Sequence, residues 1–593
     1  MHDAFRQLIA QNRDGKIHAL QISTESSIRA AQERSKKSVT GRLKEIACAE
    51  IDEQTENLVA SLGDTQVDYR FFLGFKLVVT DKELSIKEMG KAAKNLLYDA
   101  ANAIGHSFMG DFVSMPNDEI RRYSRMEKLM ENKLSRRFKV RRLNKNDFGY
   151  LLEHIYGRTG TAYEDFAFTL PLKKRKRDTL VKKYDLIKPA RCLIEEKQRY
   201  LHMKSEDSES YVAYFTISDV VGELDFPSSE IFYYQEQQFD FAIDTSMNVE
   251  IITNKAALHT VRNKKKELKD LDNHAWENNS ETTNQVAEAL DSVDELESVL
   301  DQSKESMYKL SYVVRVTAPD MEELKRRCNQ VRDFYDDASI KLVRPIGDMM
   351  GLHNEFIPSS KRYMNDYVQY VTSDFLAGLG FGATQMLGER DGIYLGYNVD
   401  TDQNVYVQPA RAAQGVKGSV TNALSGAFLG SLGGGKSLSF NLLTYYAVLN
   451  GAQALILDPK SERGLWKEKL PEIADEINIV NLTSDEENKG MLDPYIIMRK
   501  TKDAESLALD VLTFLTGISS RDGKLFPVLR RAVRAVTNSE TRGLLRVIDA
   551  LRDDGSETAL AIAEHIESFT DYDFAHLLFS NGRCADHQLA KQA

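Results

Sequence analysis

The spacing of apolar positions divides the chain into alternating blocks. Residues 15–62 hold a polar, helix-rich stretch, RAAQERSKKSVTGRLKEIACAEIDEQTENLVASL. Arg70-Phe-Phe-Leu-Gly-Phe-Lys-Leu-Val-Val-Thr80 reads as a strand, and Ile86, Met89, Ala92, Leu96 and Leu97 predict a helix over 85–103. The basic segment Arg136–Arg142 is strand-like, so strand, helix and strand point to a small α+β unit.

Further along, 211–220 and 239–252 are β-rich. Residues 262–308 are polar and mostly acidic, yet Val286, Leu290, Val293, Leu296 and Leu300 recur at helical spacing. That stretch is expected to form a packed or antiparallel helical arm. Leu310–Thr317 (strand), Asp320–Tyr335 (helix) and Ile340–Val343 (strand) repeat the order seen after Arg70, so two related α+β units are expected. Gly392–Val399 and Val405–Val407 flank Asp400-Thr-Asp-Gln-Asn404, a hairpin signal.

Beyond the hairpin the pattern turns to α/β. Ala427-Phe-Leu-Gly430 is predicted as a buried strand, and Leu438, Phe440, Leu442, Leu443, Tyr446 and Leu449 as a buried helix stopped by Asn450-Gly451. Ala454-Leu-Ile-Leu-Asp458 is predicted as a second buried strand, and Ile477–Val480 as another. Helices are predicted at 503–516, 524–537, 540–552 and 556–568.

Composition narrows the class. At 593 residues the chain exceeds one hydrophobic core. Hydrophobic content of 42% and charged content of 28% are those of a soluble globular protein. A net charge of -11 argues against indiscriminate nucleic-acid binding by the whole surface. The densest basic run, Lys173–Arg177, is read as a solvated linker, with a nucleic-acid or import signal as the alternative. Cys48, Cys192, Cys328 and Cys584 are widely spaced, as expected of reduced thiols in a cytoplasm. The most lipid-like run, Phe375–Thr384, is half a membrane span.

One stretch carries chemistry. Gly430-Ser431-Leu432-Gly433-Gly434-Gly435-Lys436-Ser437, continuing into Leu438, fits G-x-x-x-x-G-K-[ST]. Glycines let successive N–H groups turn toward phosphate oxygens. Lys436 is placed to reach the β- and γ-phosphates, and the Ser437 hydroxyl to ligate magnesium. The cofactors expected are therefore ATP and Mg2+. The eleven histidines include no H-x-x-x-H pair, so zinc is not expected. Cys584 and His587 fall in a polar tail and are not read as catalytic.

The hairpin ending in GIYLGYN, the segment SGAFLGSLGGGKS, and LILDPKSE at 22 residues after the loop lysine resemble the conjugative type IV secretion ATPases. These are the TrbE/TraC-type motors of the wider HerA/FtsK superfamily. The match in motif detail covers residues 392–500, and the resemblance in architecture covers essentially the whole chain. It implies ferredoxin-like α+β units at 1–185 (docking) and 186–385, then a RecA-like P-loop ATPase domain at 386–593. It also implies a hexameric cytoplasmic motor held at the inner face of the membrane by channel subunits, with a coupling ATPase and DNA as further partners. By position, Gly430, Gly435, Lys436 and Ser437 would hold ATP and magnesium. Asp458, at a strand's carboxyl end, would position magnesium-bound or attacking water. The alternative for Asp458 is a carboxylate capping its own turn; Glu462 is either catalytic or a solvated helix-start residue.

A motor of this class needs a second acidic strand. Leu544–Asp549 has helical spacing and Leu577–Ser580 ends without an acid, so none is found after Glu462. The expectation is a fragment whose catalytic glutamate and arginine finger lie beyond Ala593. Two other functions stay open: a HerA/FtsK-like DNA translocase, and a non-catalytic nucleotide-binding scaffold.

Overall fold

The computed structural model describes residues 15–76, 117–136, 138, 140–156, 163, 166–167, 192–205, 208–220, 230–277, 284–358, 360, 362–415, 425–483 and 485–582. The helix expected at 85–103, the end of the strand expected at 70–80, the Lys173–Arg177 run, and Cys584 and His587 lie outside these residues. Two compact units emerge, Met1–Ala454 and Leu455–Ala593. The described fold is mixed helix and antiparallel sheet, α+β.

The first unit is built on one sheet of nine strands: β1 (Lys16–Ser27), β2 (Thr65–Phe75), β3 (Leu193–Glu196), β4 (Leu201–Lys204), β5 (Glu209–Val220), β6 (Ile243–Ile252), β7 (Met307–Ala318), β8 (Ile340–Val343) and β9 (Val368–Val371). Its order is β2-β1-β6-β7-β5-β4-β3, with β8 on β5 and β9 on β7, every pairing antiparallel. Strands expected in two separate α+β units thus share one sheet. Alternation fixes the faces: Ile17 and Ala19 of β1 join one core, Leu20 and Ile22 the other.

Helices cover both faces. In chain order they are α1 (Ile28–Ser38), α2 (Lys44–Leu62), α3 (Asn117–Ser135), α4 (Lys145–Tyr156), α5 (Ile231–Gln238), α6 (Asn254–Glu277), α7 (Asn284–Ser303), α8 (Met321–Asp337), α9 (Met349–Asn354) and α10 (Ser373–Gly378). Ile231 and Phe232 of α5, Leu324 and Val331 of α8, and Leu376 of α10 pack on one face. Leu151 and Ile155 of α4 and Leu352 of α9 pack on the other. Each such fully buried side chain contributes roughly 1.5–3 kcal/mol. The residues expected as a lipid-like run are spent here, with Leu376, Leu379 and Phe381 buried. No helix among the described residues is long and apolar enough to cross a membrane.

The arm expected at 262–308 is an antiparallel pair. Val261 of α6 and Leu300 of α7 are buried together, and Arg262 and Lys265 pair with Glu297 at 2.8 and 2.9 Å. The strand expected at Arg136–Arg142 is absent among its described residues. Arg141 and Arg142 are instead drawn off by Asp147 of α4 and Glu131 of α3.

Buried polar groups stitch these layers. Asp244 of β6 accepts from Ser23 N at 2.8 Å, Ser23 Oγ at 2.6 Å, His154 Nε2 at 2.9 Å and Arg315 at 3.3 Å. The same guanidinium donates to the carbonyls of His154 and Ile155, closing α4 onto the sheet.

The hairpin β10 (Ile393–Asn398) and β11 (Gln403–Val407) forms where the turn signal placed it. It lies against the edge strand β2: Gln403 Nε2 donates to the Val67 carbonyl at 2.9 Å, and Arg390 pairs with Asp68. These contacts cover part of an edge that would otherwise offer open backbone groups.

In the second unit α12 (Trp466–Lys469) and α13 (Pro494–Ile497) precede α14 (Thr501–Thr516), α15 (Leu525–Thr537), α16 (Leu544–Asp554) and α17 (Glu557–Thr570). The helix α11 (Lys436–Leu449) belongs to the first unit. The four long helices match the predicted helical stretch and enclose Leu512, Leu529, Val533, Leu544, Val547, Ile562 and Ile566. Buried Asp493 ties the bundle together, accepting from the N–H groups of Tyr495 (2.9 Å), Leu544 (2.7 Å) and Ser580 (3.0 Å).

Three predicted strands do not form. Ala427–Gly430, Ala454–Asp458 and Ile477–Val480 have no ladder partner among the described residues. Leu429 is 90% exposed, Leu455 89% and Leu457 84%. An apolar run becomes a buried strand only where a neighbouring strand takes up its N–H and C=O groups, and none among the described residues does so here. The helix expected to be buried is likewise half-exposed, with Leu449 its one buried residue.

Candidate functional site

The chain enters the glycine-rich stretch exposed and without regular secondary structure, then turns at 432–435. Gly433 (φ 78°) and Gly435 (φ 80°) occupy the left-handed region that side chains disfavour. The Gly434 N–H donates to the Ser431 carbonyl at 3.1 Å, which closes the turn. Gly435 caps α11, so Lys436 and Ser437 are its first two residues.

This placement has an electrostatic consequence. The first N–H groups of a helix lack intrahelical acceptors, and the helix dipole adds partial positive charge there. A Cβ on Gly430 would stand 3.3 Å from Lys436 Cγ, so glycine leaves room for the lysine stem beside the loop. Lys436 Nζ donates to the Ser431 carbonyl at 2.6 Å, holding its charge over the turn. Ser437 is exposed at the same end, and Leu432 and Leu438 point outward, 103% and 63% exposed. Donors, cation and hydroxyl thus converge on one accessible turn at a helix N-terminus, which fits a phosphate chain with magnesium.

The far end of α11 is braced. Leu449 is buried, Tyr446 OH donates to Glu50 of α2 at 3.4 Å, and Gly451 (φ 95°) lies against Thr40.

Asp458 belongs to the second unit and ends a mostly exposed segment without regular secondary structure. Its carboxylate folds back on its own loop. Oδ2 accepts the Arg463 N–H at 2.8 Å, Oδ1 the Lys460 N–H at 3.4 Å, and the Arg463 guanidinium stands 3.3 Å from Oδ1. This is the turn-capping geometry. Ser461 takes φ 53° inside the loop, and the Arg463 guanidinium also lies 6.0 Å from the centre of the Trp466 ring. Glu462 is exposed. Sequence reading passed over Arg463 and Trp466; the available signal was a cation five residues after the acid, across a turn containing Pro459. No cluster of three or more His, Cys, Asp or Glu side chains able to hold a metal occurs among the described residues.

Residues 403–593 match a family model described as an AAA-like domain. A relative in Bacillus subtilis (strain 168), the uncharacterized protein YddE, is 20% identical over 416 residues, which are 64% of this chain and 49% of that protein. The chain spans about half the length of this curated relative. The AAA-like match over residues 403–593 supports the P-loop ATPase superfamily, and the glycine-rich turn at the start of α11 lies within the matched residues.

Proposed function

We propose that this chain is an ATP-binding motor subunit of the FtsK/HerA/TraC type, serving conjugative transfer or type IV secretion. The observation that carries it is the turn at Gly433–Gly435 delivering Lys436 and Ser437 to the first turn of α11. In this reading the loop N–H groups and Lys436 bind the β- and γ-phosphates of ATP, and Ser437 ligates magnesium. When bound, magnesium and nucleotide supply the charge and the transferable phosphoryl group. Gly430, Gly434 and Gly435 keep the loop clear of side chains. Asp458 serves as the carboxylate that orients magnesium-bound water. Hexamer formation, cytoplasmic location at the inner membrane face, and channel subunits, a coupling ATPase and DNA as partners belong to the same proposal, supported by the quoted motifs.

A second reading, a nucleotide-binding scaffold without turnover, is favoured by one observation: the Asp458 carboxylate is engaged by its own loop. Steady-state phosphate release and nucleotide binding by the unaltered chain and Lys436→Ala, with magnesium and with or without DNA, separate the readings. Turnover lost in Lys436→Ala supports the motor, and stimulation by duplex DNA moves it toward a translocase. Binding lost in Lys436→Ala with no turnover from either protein supports the scaffold. No nucleotide affinity in the unaltered chain sinks all of them.

A further inference from the structure

Burial rises along α11 from the glycine loop to the far end. Residues 437–440 are exposed, 443–448 are half-buried, and Leu449 is 2% exposed. At the loop end, Gly434 and Lys436 both donate to the Ser431 carbonyl, so these bonds close on the loop itself. The Phe428 ring, 5.7 Å from that of Phe440, ties the approach segment to the same helix. The far end of α11 instead meets the N-terminal part of its own unit. Leu449 and Tyr446 line a cavity of about 20 Å³ with Glu50 and Ile51 of α2 and Ile393 of β10. The Tyr446 hydroxyl donates to Glu50 at 3.4 Å. Beside it the turn between α1 and α2 meets the helix stop backbone to backbone. A Cβ on Gly41 would stand 3.4 Å from Gly451 Cα, and one on Gly451 2.5 Å from the Thr40 carbonyl oxygen.

α11 is thus a rod held best at the end away from its chemistry. Its 14 residues span about 21 Å, so a tilt of about 3° at Leu449 carries the loop about 1 Å. Donors that hold a ligand need their aim kept within about 0.5 Å. The loop is exposed and packs on little, so that tolerance is met or lost at the far end.

We propose that α2 and the start of β10 form the seat that aims the phosphate-binding loop, with Glu50, Tyr446 and Leu449 as positioning residues. This rests on the reading of the loop as a nucleotide site. None of the three touches nucleotide. The linkage is reciprocal: a ligand that fixes the loop also steadies α2.

The probe is ADP with magnesium chloride, added to the full chain. ADP is expected to slow hydrogen exchange of the α2 amides near 47–54 at least about twofold. Leu449→Ala is expected to weaken ADP binding about tenfold or more and to abolish that slowing. Leu449→Met, close in volume, is expected to restore most of both. Leu442→Ala makes the same cut at a position 44% exposed and should change neither. Tyr446→Phe removes only the hydroxyl and should weaken binding about threefold, the scale of one hydrogen bond. If Leu449→Ala does not fold, Tyr446→Phe and the exchange of the unaltered chain decide. ADP binding that is lost in Lys436→Ala, yet leaves α2 exchange unchanged, overturns the proposal while the nucleotide reading stands. Equal affinities in Leu449→Ala and Leu442→Ala overturn it too, as does undiminished binding by Tyr446→Phe. Absence of ADP binding by the unaltered chain overturns both the proposal and the reading beneath it.

Discussion

The carboxylate of Glu236 on α5 accepts the backbone N–H of Gln385 at 2.7 Å and the Thr384 hydroxyl at 3.1 Å, while its other oxygen is buried with no hydrogen-bond partner among the described residues. Burial pushes its pKa up to about 7, against the donated hydrogen bonds. The folded state therefore holds a proton that the unfolded chain releases near pH 4.5. Stability from this group is complete below about 4.5 and is lost as pH rises toward 7, a loss of order 3 kcal/mol at most. Glu236→Gln keeps an acceptor for Gln385 and is expected to flatten that decline. Urea midpoints at pH 5.5 and 8 check it: an unchanged pH slope in the variant rejects the assignment. His18 and His353 act in the opposite direction, because burial lowers them to about 4 and 3 and their loss of stability falls below pH 6.5.

Arg315 is 1% exposed, and Asp244 is the carboxylate it pairs with inside the sheet. Removing the acid strands a buried guanidinium, so Asp244→Ala is expected to destabilise by about 3–5 kcal/mol. Adding Arg315→Met removes the stranded charge and should recover at least about 1 kcal/mol. Purely additive losses in denaturant titrations would show that the pair does not couple.

Gly451 was legible as a helix stop, but its second duty was not. A Cβ at this position would stand 2.5 Å from the Thr40 carbonyl oxygen, and φ is 95°. Gly451→Val is therefore expected to lower stability by about 2 kcal/mol or more. A melting temperature equal to that of the unaltered chain would contradict the contact.

The elements legible in the sequence were those whose signal is local. The Asp400–Asn404 turn, the four long helices of the second unit and the glycine-lysine loop each carry their cause within a few residues. Strand β1 was hidden because LysIleHis-type alternation puts polar His18, Gln21, Ser23 and Thr24 inside, on a sheet covered on both faces. The opposite error arose at Leu429, Leu455 and Leu457, where hydrophobicity was taken for burial although no neighbouring strand is present among the described residues. Of the candidate site, the loop was readable; the closure of Asp458 onto Arg463 depends on a turn conformation, including φ 53° at Ser461, that composition does not encode.

Gly435 and Gly426 make a matched pair for testing the loop. Neither would bring a Cβ within 4 Å of another residue, so alanine creates no clash at either. They differ in backbone: Gly435 takes φ 80°, and Gly426 lies outside the left-handed region. Alanine at Gly435 costs about 1–2 kcal/mol if the turn is kept, and the chain can avoid that cost by unwinding the turn. Because the loop is exposed and packs on little, unwinding disturbs the aim of the N–H groups more than the fold. Gly435→Ala is accordingly expected to weaken nucleotide binding about tenfold or more, with a melting temperature close to that of the unaltered chain. Gly426→Ala should change neither. Equal losses of affinity at the two positions would mean that side-chain bulk, and not the left-handed turn, governs this loop.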